Sequence, residues 1–141
     1  MVFRIDWEAI PVGPLRLITS SKNYNSMIRR TASEAERSLR VPLQRGQTGL
    51  RYRHPMILRR WVIPYYNTTY GVAVLIREDE PYPFTTQTVE ACQEAVSRAN
   101  VRVMVVDASD IMRDAHAMAD KIREFTLRVK AERETGKSPS I

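Results

Sequence analysis

Cysteine is nearly missing: Cys92 stands alone in a chain of 141 residues. No internal disulfide can form, and a reducing, intracellular folding site is the expectation. Long hydrophobic runs are missing too. No stretch of about 18 apolar residues occurs, so a membrane-spanning helix is not expected. The opening Met1-Val2-Phe3-Arg4-Ile5-Asp6-Trp7 carries charge where a secretory signal has its apolar stretch, and no such signal is expected. Histidine is scarce as well. His54 and His116 fall on different elements, far in sequence from Cys92, too sparse for the three or four ligands of a zinc site. Glycine is limited to 5 residues, and Gly46 and Gly49 lack the lysine and glycine spacing of a phosphate-cradling loop. Repeats and low-complexity tracts are absent. No metal, cofactor or catalytic residue is expected, and the chain does not read as an enzyme.

What is present describes an ordinary globular chain. The apolar share of 43% and charged share of 27% argue against wholesale disorder. The length suits one domain, expected over residues 1–133, with an irregular arm at 1–20, a flexible loop at 42–54 and a disordered tail at 134–141. The net charge of +6 hides an asymmetry. Residues 1–60 hold 12 Lys or Arg against 4 Asp or Glu, whereas residues 61–141 hold 10 against 12. Arginine dominates, 18 against 4 lysines, and its planar fork suits carboxylate and phosphate alike.

The order of elements follows from periodicity. Ile28, Ala32, Ala35 and Leu39 repeat at steps of four and three, which predicts a helix from about Ser21 to Arg40, capped by Ser20 or Ser21 and ended by Pro42. Met56–Ile63 and Thr69–Arg77 read as strands around a turn at Asn67-Thr68-Thr69, with Pro55 and Pro64 marking the first as an edge or interrupted strand. In the second, Val72, Val74 and Ile76 share one face and Ala73 and Leu75 the other, which predicts a central strand covered on both sides. Glu78 to Pro83 forms an acidic connector. A helix over about Thr86–Ala99 follows, with Val89, Cys92, Val96 and Ala99 inward. Val101–Val106 reads as a strand whose pairing direction stays open. A last helix carries Ile111, Ala115, Met118, Ile122, Phe125 and Val129, with Ser109 or Asp107 as cap. The class is α+β: a small, mainly antiparallel sheet with two to three packed helices and a long C-terminal helix.

Few residues suggest chemistry. Cys92 as a nucleophile is weighed against its place between Val89 and Val96 on an apolar face, which favours a small buried hydrophobe. Asp107, Asp110 and Asp114 resemble a carboxylate cluster, but they fall where a helix begins and its dipole favours acids. The run Glu78-Asp79-Glu80 reads by default as a solvated turn. The strongest signal is basic: Arg45, Arg51, Arg53, Arg59 and Arg60 lie close together, interleaved with Tyr52 and Trp61, as a phosphate-tracking, base-stacking surface requires. Arg51 and Arg53 would share one face of an extended chain, and Arg59 and Arg60 opposite faces. An arginine-rich protein interface accounts for the same residues.

One stretch carries a resemblance. Pro42, then Thr48-Gly49-Leu50-Arg51, then strands through Arg77, then Pro83-Phe84 before a helix, are similar to the tail-completion, or head–tail joining, family of long-tailed bacteriophages. The similarity covers residues 24–99. It departs from that family where Gly49 and Leu50 are adjacent, where Glu78-Asp79-Glu80 replaces a glycine-bearing segment, and from Val101 onward. The resemblance implies a non-catalytic virion protein, assembled in the host cytoplasm as a homo-oligomeric ring and docked to other neck or tail proteins. The loop with Arg45, Arg51 and Arg53 would reach into a neighbour or face DNA in a central channel. The other reading is a small basic regulator that binds nucleic acid or the transcription machinery.

Overall fold

The computed structural model describes residues 4–15, 24–44, 49–79 and 85–135. Outside them fall residues 1–3 and 16–20 of the expected arm, the Ser20 or Ser21 cap, Arg45 and Thr48 of the loop, the Glu80–Pro83 part of the connector with Phe84, and the last six residues of the tail.

Strand β4 (Val72–Arg77) is the centre of the molecule, buried on both faces from Val72 to Ile76 as its continuous apolar run requires. Strand β3 (Tyr65–Asn67) pairs antiparallel with it, Tyr65 opposite Val74 and Asn67 opposite Val72. Strand β5 (Arg102–Asp107) pairs parallel on the other side, from Val72 opposite Arg102 to Arg77 opposite Asp107. The parallel pairing settles the direction that sequence left open. A parallel neighbour needs a long crossover, and helix α4 (Val89–Ser97) supplies it. Thr88 caps α4 by accepting from the Ala91 N–H at 3.1 Å.

Each face of β4 has its own core. Ala73 and Leu75 pack with Cys92, Ala95, Val96 and Ala99, and with Leu58, Trp61, Ile63 and Tyr66. Val74 and Ile76 pack with Tyr65, Ala35, Leu39, Leu43, Ile111, Met118, Ala119 and Ile122. The class is thus α+β, with mostly antiparallel pairing and a long last helix.

The helices are more broken than their periodicity predicts. The expected single first helix is three: α1 (Tyr24–Thr31), α2 (Glu34–Ser38) and α3 (Arg40–Gln44). Ser33 interrupts it, turning extended and accepting from the Glu36 N–H at 3.1 Å, which caps α2. Pro42 does not end the helix. It sits in the first turn of α3, where an N–H has no intrahelical partner to lose. The expected last helix is likewise two, α5 (Ala108–Arg113) and α6 (Ala115–Thr135). Asp114 breaks it in an extended conformation, and its carboxylate caps α6 through the Ala117 N–H at 3.0 Å. The cap is therefore Asp114 rather than Ser109, while Asp107 flanks α5 without a side-chain cap bond. Helix α6 also runs to Thr135, past the expected domain end.

The expected strand Met56–Ile63 is a hairpin: β1 (Met56–Leu58) and β2 (Trp61–Ile63), with Leu58 opposite Trp61. Arg59 and Arg60 form its two-residue turn with φ of 44° and 71°. Positive φ at both positions matches the twist of paired strands, a conformation that usually selects Asn or Gly. An arm packs on this turn. The Gly13 N–H donates to the Arg59 carbonyl at 2.8 Å, and a Cβ on Gly13 would lie 2.7 Å from the Arg60 carbonyl oxygen. Only glycine fits that approach.

Candidate functional site

The five arginines singled out by sequence do not form one loop surface. Arg45 lies outside the described residues. Arg51 and Arg53 are both exposed, but the backbone beneath them is fixed. Arg53 exchanges both backbone hydrogen bonds with Tyr66, at 2.8 and 3.0 Å, and the Asn67 amide donates to the Arg51 carbonyl at 2.9 Å. Of the expected flexible loop, residues 42–44 belong to α3, Arg51 and Arg53 are bonded to β3, and residues 45–48 lie outside the described residues. Arg59 and Arg60 are the hairpin turn, not opposite faces of a strand. The Arg59 guanidinium donates to the Trp7 carbonyl at 2.9 Å, and that of Arg60 donates to the Leu15 carbonyl. Both still expose their charge to solvent.

The aromatic partners predicted for stacking are turned inward. Tyr52 is half-buried, its hydroxyl bonded to that of Thr126 at 2.8 Å. Trp61 is 7% exposed and donates its indole N–H to the Pro11 carbonyl. The indole on the surface is Trp7, 47% exposed, which sequence reasoning did not single out. Nothing in its local pattern distinguishes it from a core aromatic.

Charge pairing divides the molecule. Among the described residues, the arginine and lysine ion pairs all use a cation from Arg77 onward: Arg77 with Glu90 and Asp107, Arg98 with Glu94, Arg102 with Glu132, Arg113 with Asp110, Arg123 with Asp120 and Lys130 with Glu134. Arg4, Arg29, Arg30, Arg37, Arg40, Arg51, Arg53, Arg59 and Arg60 have no such partner there, and all are exposed. The described arginines of the first half thus carry their charge on the surface without an ion-pair partner among the described residues.

One acid of the first half is withdrawn into the interior. Glu36 is fully buried, its carboxylate 2.5 Å from His54 Nε2. The His54 ring stacks on Tyr65 with centroids 4.4 Å apart, and the Tyr65 hydroxyl donates to the Glu36 carbonyl at 2.5 Å. Burial, reinforced by the Glu36 carboxylate, pushes the Tyr65 phenol well above its ordinary range. This cluster joins α2, β3 and residue 54. It was illegible because its three members are 18 and 11 positions apart in sequence.

A cleft of about 880 Å³ lies at the C-terminal end of β4, between α1, α2 and the start of α4. Its described lining includes Glu78, Asp79 and Glu90 with Arg77 as the cation. Burial holds the Glu78 carboxyl above the usual carboxylate range; a hydrogen bond with Ser33 opposes the rise and Glu36 adds to it.

The residues weighed for catalysis do not converge. Cys92 is in the α4-side core, His54 on the opposite face of the sheet, and His116 exposed on α6. Among the described residues no three His, Cys, Asp or Glu side chains are arranged to hold a metal ion. Cys92 is fully buried, and burial pushes its thiol up to about 12. Folded protein is expected to leave a disulfide-exchange reagent unreacted at about pH 8, where a free thiol reacts readily, and denatured protein to consume one equivalent. A mass shift on the native protein would contradict that burial.

Among the described residues no helix is long and apolar enough to cross a membrane. The fold and surface define an α+β chain with exposed first-half arginines that have no carboxylate partner among the described residues. No protein-family model, curated protein or solved structure matches it.

Proposed function

We propose that this chain is a non-enzymatic structural protein of the head–tail connector or tail-completion region of a long-tailed bacteriophage, assembling as a ring and docking to neighbouring virion proteins. The observation that carries the docking reading is the set of exposed first-half arginines without a carboxylate partner among the described residues. Such a surface favours an anionic macromolecule, and arginine adds bidentate geometry to the charge. The virion assignment adds the resemblance over residues 24–99. A ring needs a heterologous contact, one patch meeting a different one, and the acidic cleft beside β4 is a second patch of opposite sign.

The expected result is concentration-dependent assembly, seen by light scattering and as rings by electron microscopy. Charge reversal by Arg37→Glu with Arg40→Glu should abolish it and leave the circular dichroism spectrum unchanged. A chain that stays monomeric at every concentration, with or without neighbouring virion proteins, would overturn the ring. The same arginines also favour a nucleic-acid-binding regulator. Tight duplex-DNA affinity retained by the monomer and falling steeply with salt would support that reading instead.

A further inference from the structure

A second, smaller cleft of about 450 Å³ is lined by Arg4, Ile5, Trp7, Met56, Tyr66 and Thr68. Two features of it are unusual together. Trp7, an aromatic side chain that would normally be buried, is 47% exposed on its wall. The second feature is the cationic surround. Arg4 lines the cleft, the Arg53 guanidinium contacts the Met56 sulfur at 3.7 Å, and the Arg59 guanidinium holds the Trp7 carbonyl. None of these three arginines has a carboxylate partner among the described residues.

We infer that this cleft binds a nucleoside phosphate unit, free or within a single strand. The base stacks on the Trp7 indole and the phosphate meets Arg4 on the cleft wall. Every nucleobase has a face that can stack, so the site is tolerant of sequence and excludes a duplex, whose bases are already stacked. The inference is separate from the proposed virion role, because it rests on the cleft and not on assembly.

The test is fluorescence titration of the full chain with oligothymidylate, with thymidine monophosphate and with a DNA duplex, at two salt concentrations. Tryptophan emission should be quenched by oligothymidylate, with duplex at least tenfold weaker. Fluorescence anisotropy of a dye-labelled oligothymidylate, which does not depend on the indole, should show binding weakened at least tenfold by Trp7→Ala and several-fold by Arg4→Ala, each with unchanged circular dichroism. If the monophosphate binds as well as the oligomer, the ligand is a free nucleotide; if only the oligomer binds, it is a single strand. Both outcomes support the site. Absence of quenching with either, or oligomer affinity unchanged in Trp7→Ala and Arg4→Ala, overturns it. Equal duplex binding overturns it too, as a general phosphate attraction. Failure to form rings has no bearing on these readings.

Discussion

Glu36→Ala is expected to lower the stability of the folded chain by about 1–3 kcal/mol, the usual cost of leaving a buried hydrogen-bonding group without its partner. For a chain of this size that shifts the melting temperature by about 3–10 °C. The reason is the arrangement around the carboxylate. Glu36 is fully buried, and His54, whose side chain is 8% exposed, sits 2.5 Å away with its Nδ1 already unpartnered among the described residues. Loss of the carboxylate leaves the whole imidazole without a polar contact of its own against the Tyr65 ring. Replacing both residues tells the pair from its parts. His54→Phe keeps an aromatic ring on Tyr65, and combined with Glu36→Met it should recover most of the loss, since replacing both partners of a buried hydrogen bond by apolar groups of similar shape is often nearly neutral. Urea denaturation of the two single variants and the double variant gives the coupling directly. Single variants that each cost under about 1 kcal/mol would show that the buried pair contributes little.

Ile122→Ala and Phe125→Ala should behave very differently, although both lie on the same apolar stripe in sequence. Ile122 is fully buried in the core that covers one face of β4, and its truncation should cost about 2–5 kcal/mol. Phe125 is only half-buried and carries the Arg128 guanidinium 5.8 Å from its ring centroid. A partly exposed ring with a cation–π contact should cost about 1 kcal/mol or less on truncation. Thermal denaturation of the two variants side by side checks the ratio. Equal losses would place Phe125 in the core.

That contrast shows what periodicity conveys. The stripe in α6 correctly marks a buried face at Met118, Ile122 and Val129, but the register drifts, so Ala119 and Thr126 are also buried. Both faces of β4 were legible because a short strand with a continuous apolar run has no polar side to leave in water. The inner face of α4 was legible from its helical spacing, at Cys92, Val96 and Ala99. The helix breaks were not. Ser33 and Asp114 fit a helical pattern as well as they fit a cap, and only the backbone decides between them. The turn at Arg59-Arg60 was hidden because arginine has no preference for positive φ. On the surface, the basic bias of the first half was plain, but the sequence could not reveal that Tyr52 and Trp61 face inward while Trp7 faces out.

The far end of α6 holds a residue whose influence reaches beyond its own helix. The Arg133 guanidinium donates to the Tyr70 carbonyl at 2.5 Å and to the Asn100 carbonyl at 2.7 Å. Those two carbonyls belong to the turns that feed β4 and β5, and the same charge acts on the Tyr66 phenol. One side chain thus works as a tie rod across the rim of the sheet. The starts of both strands are thereby held in register by a helix anchored in the core on the other face of β4.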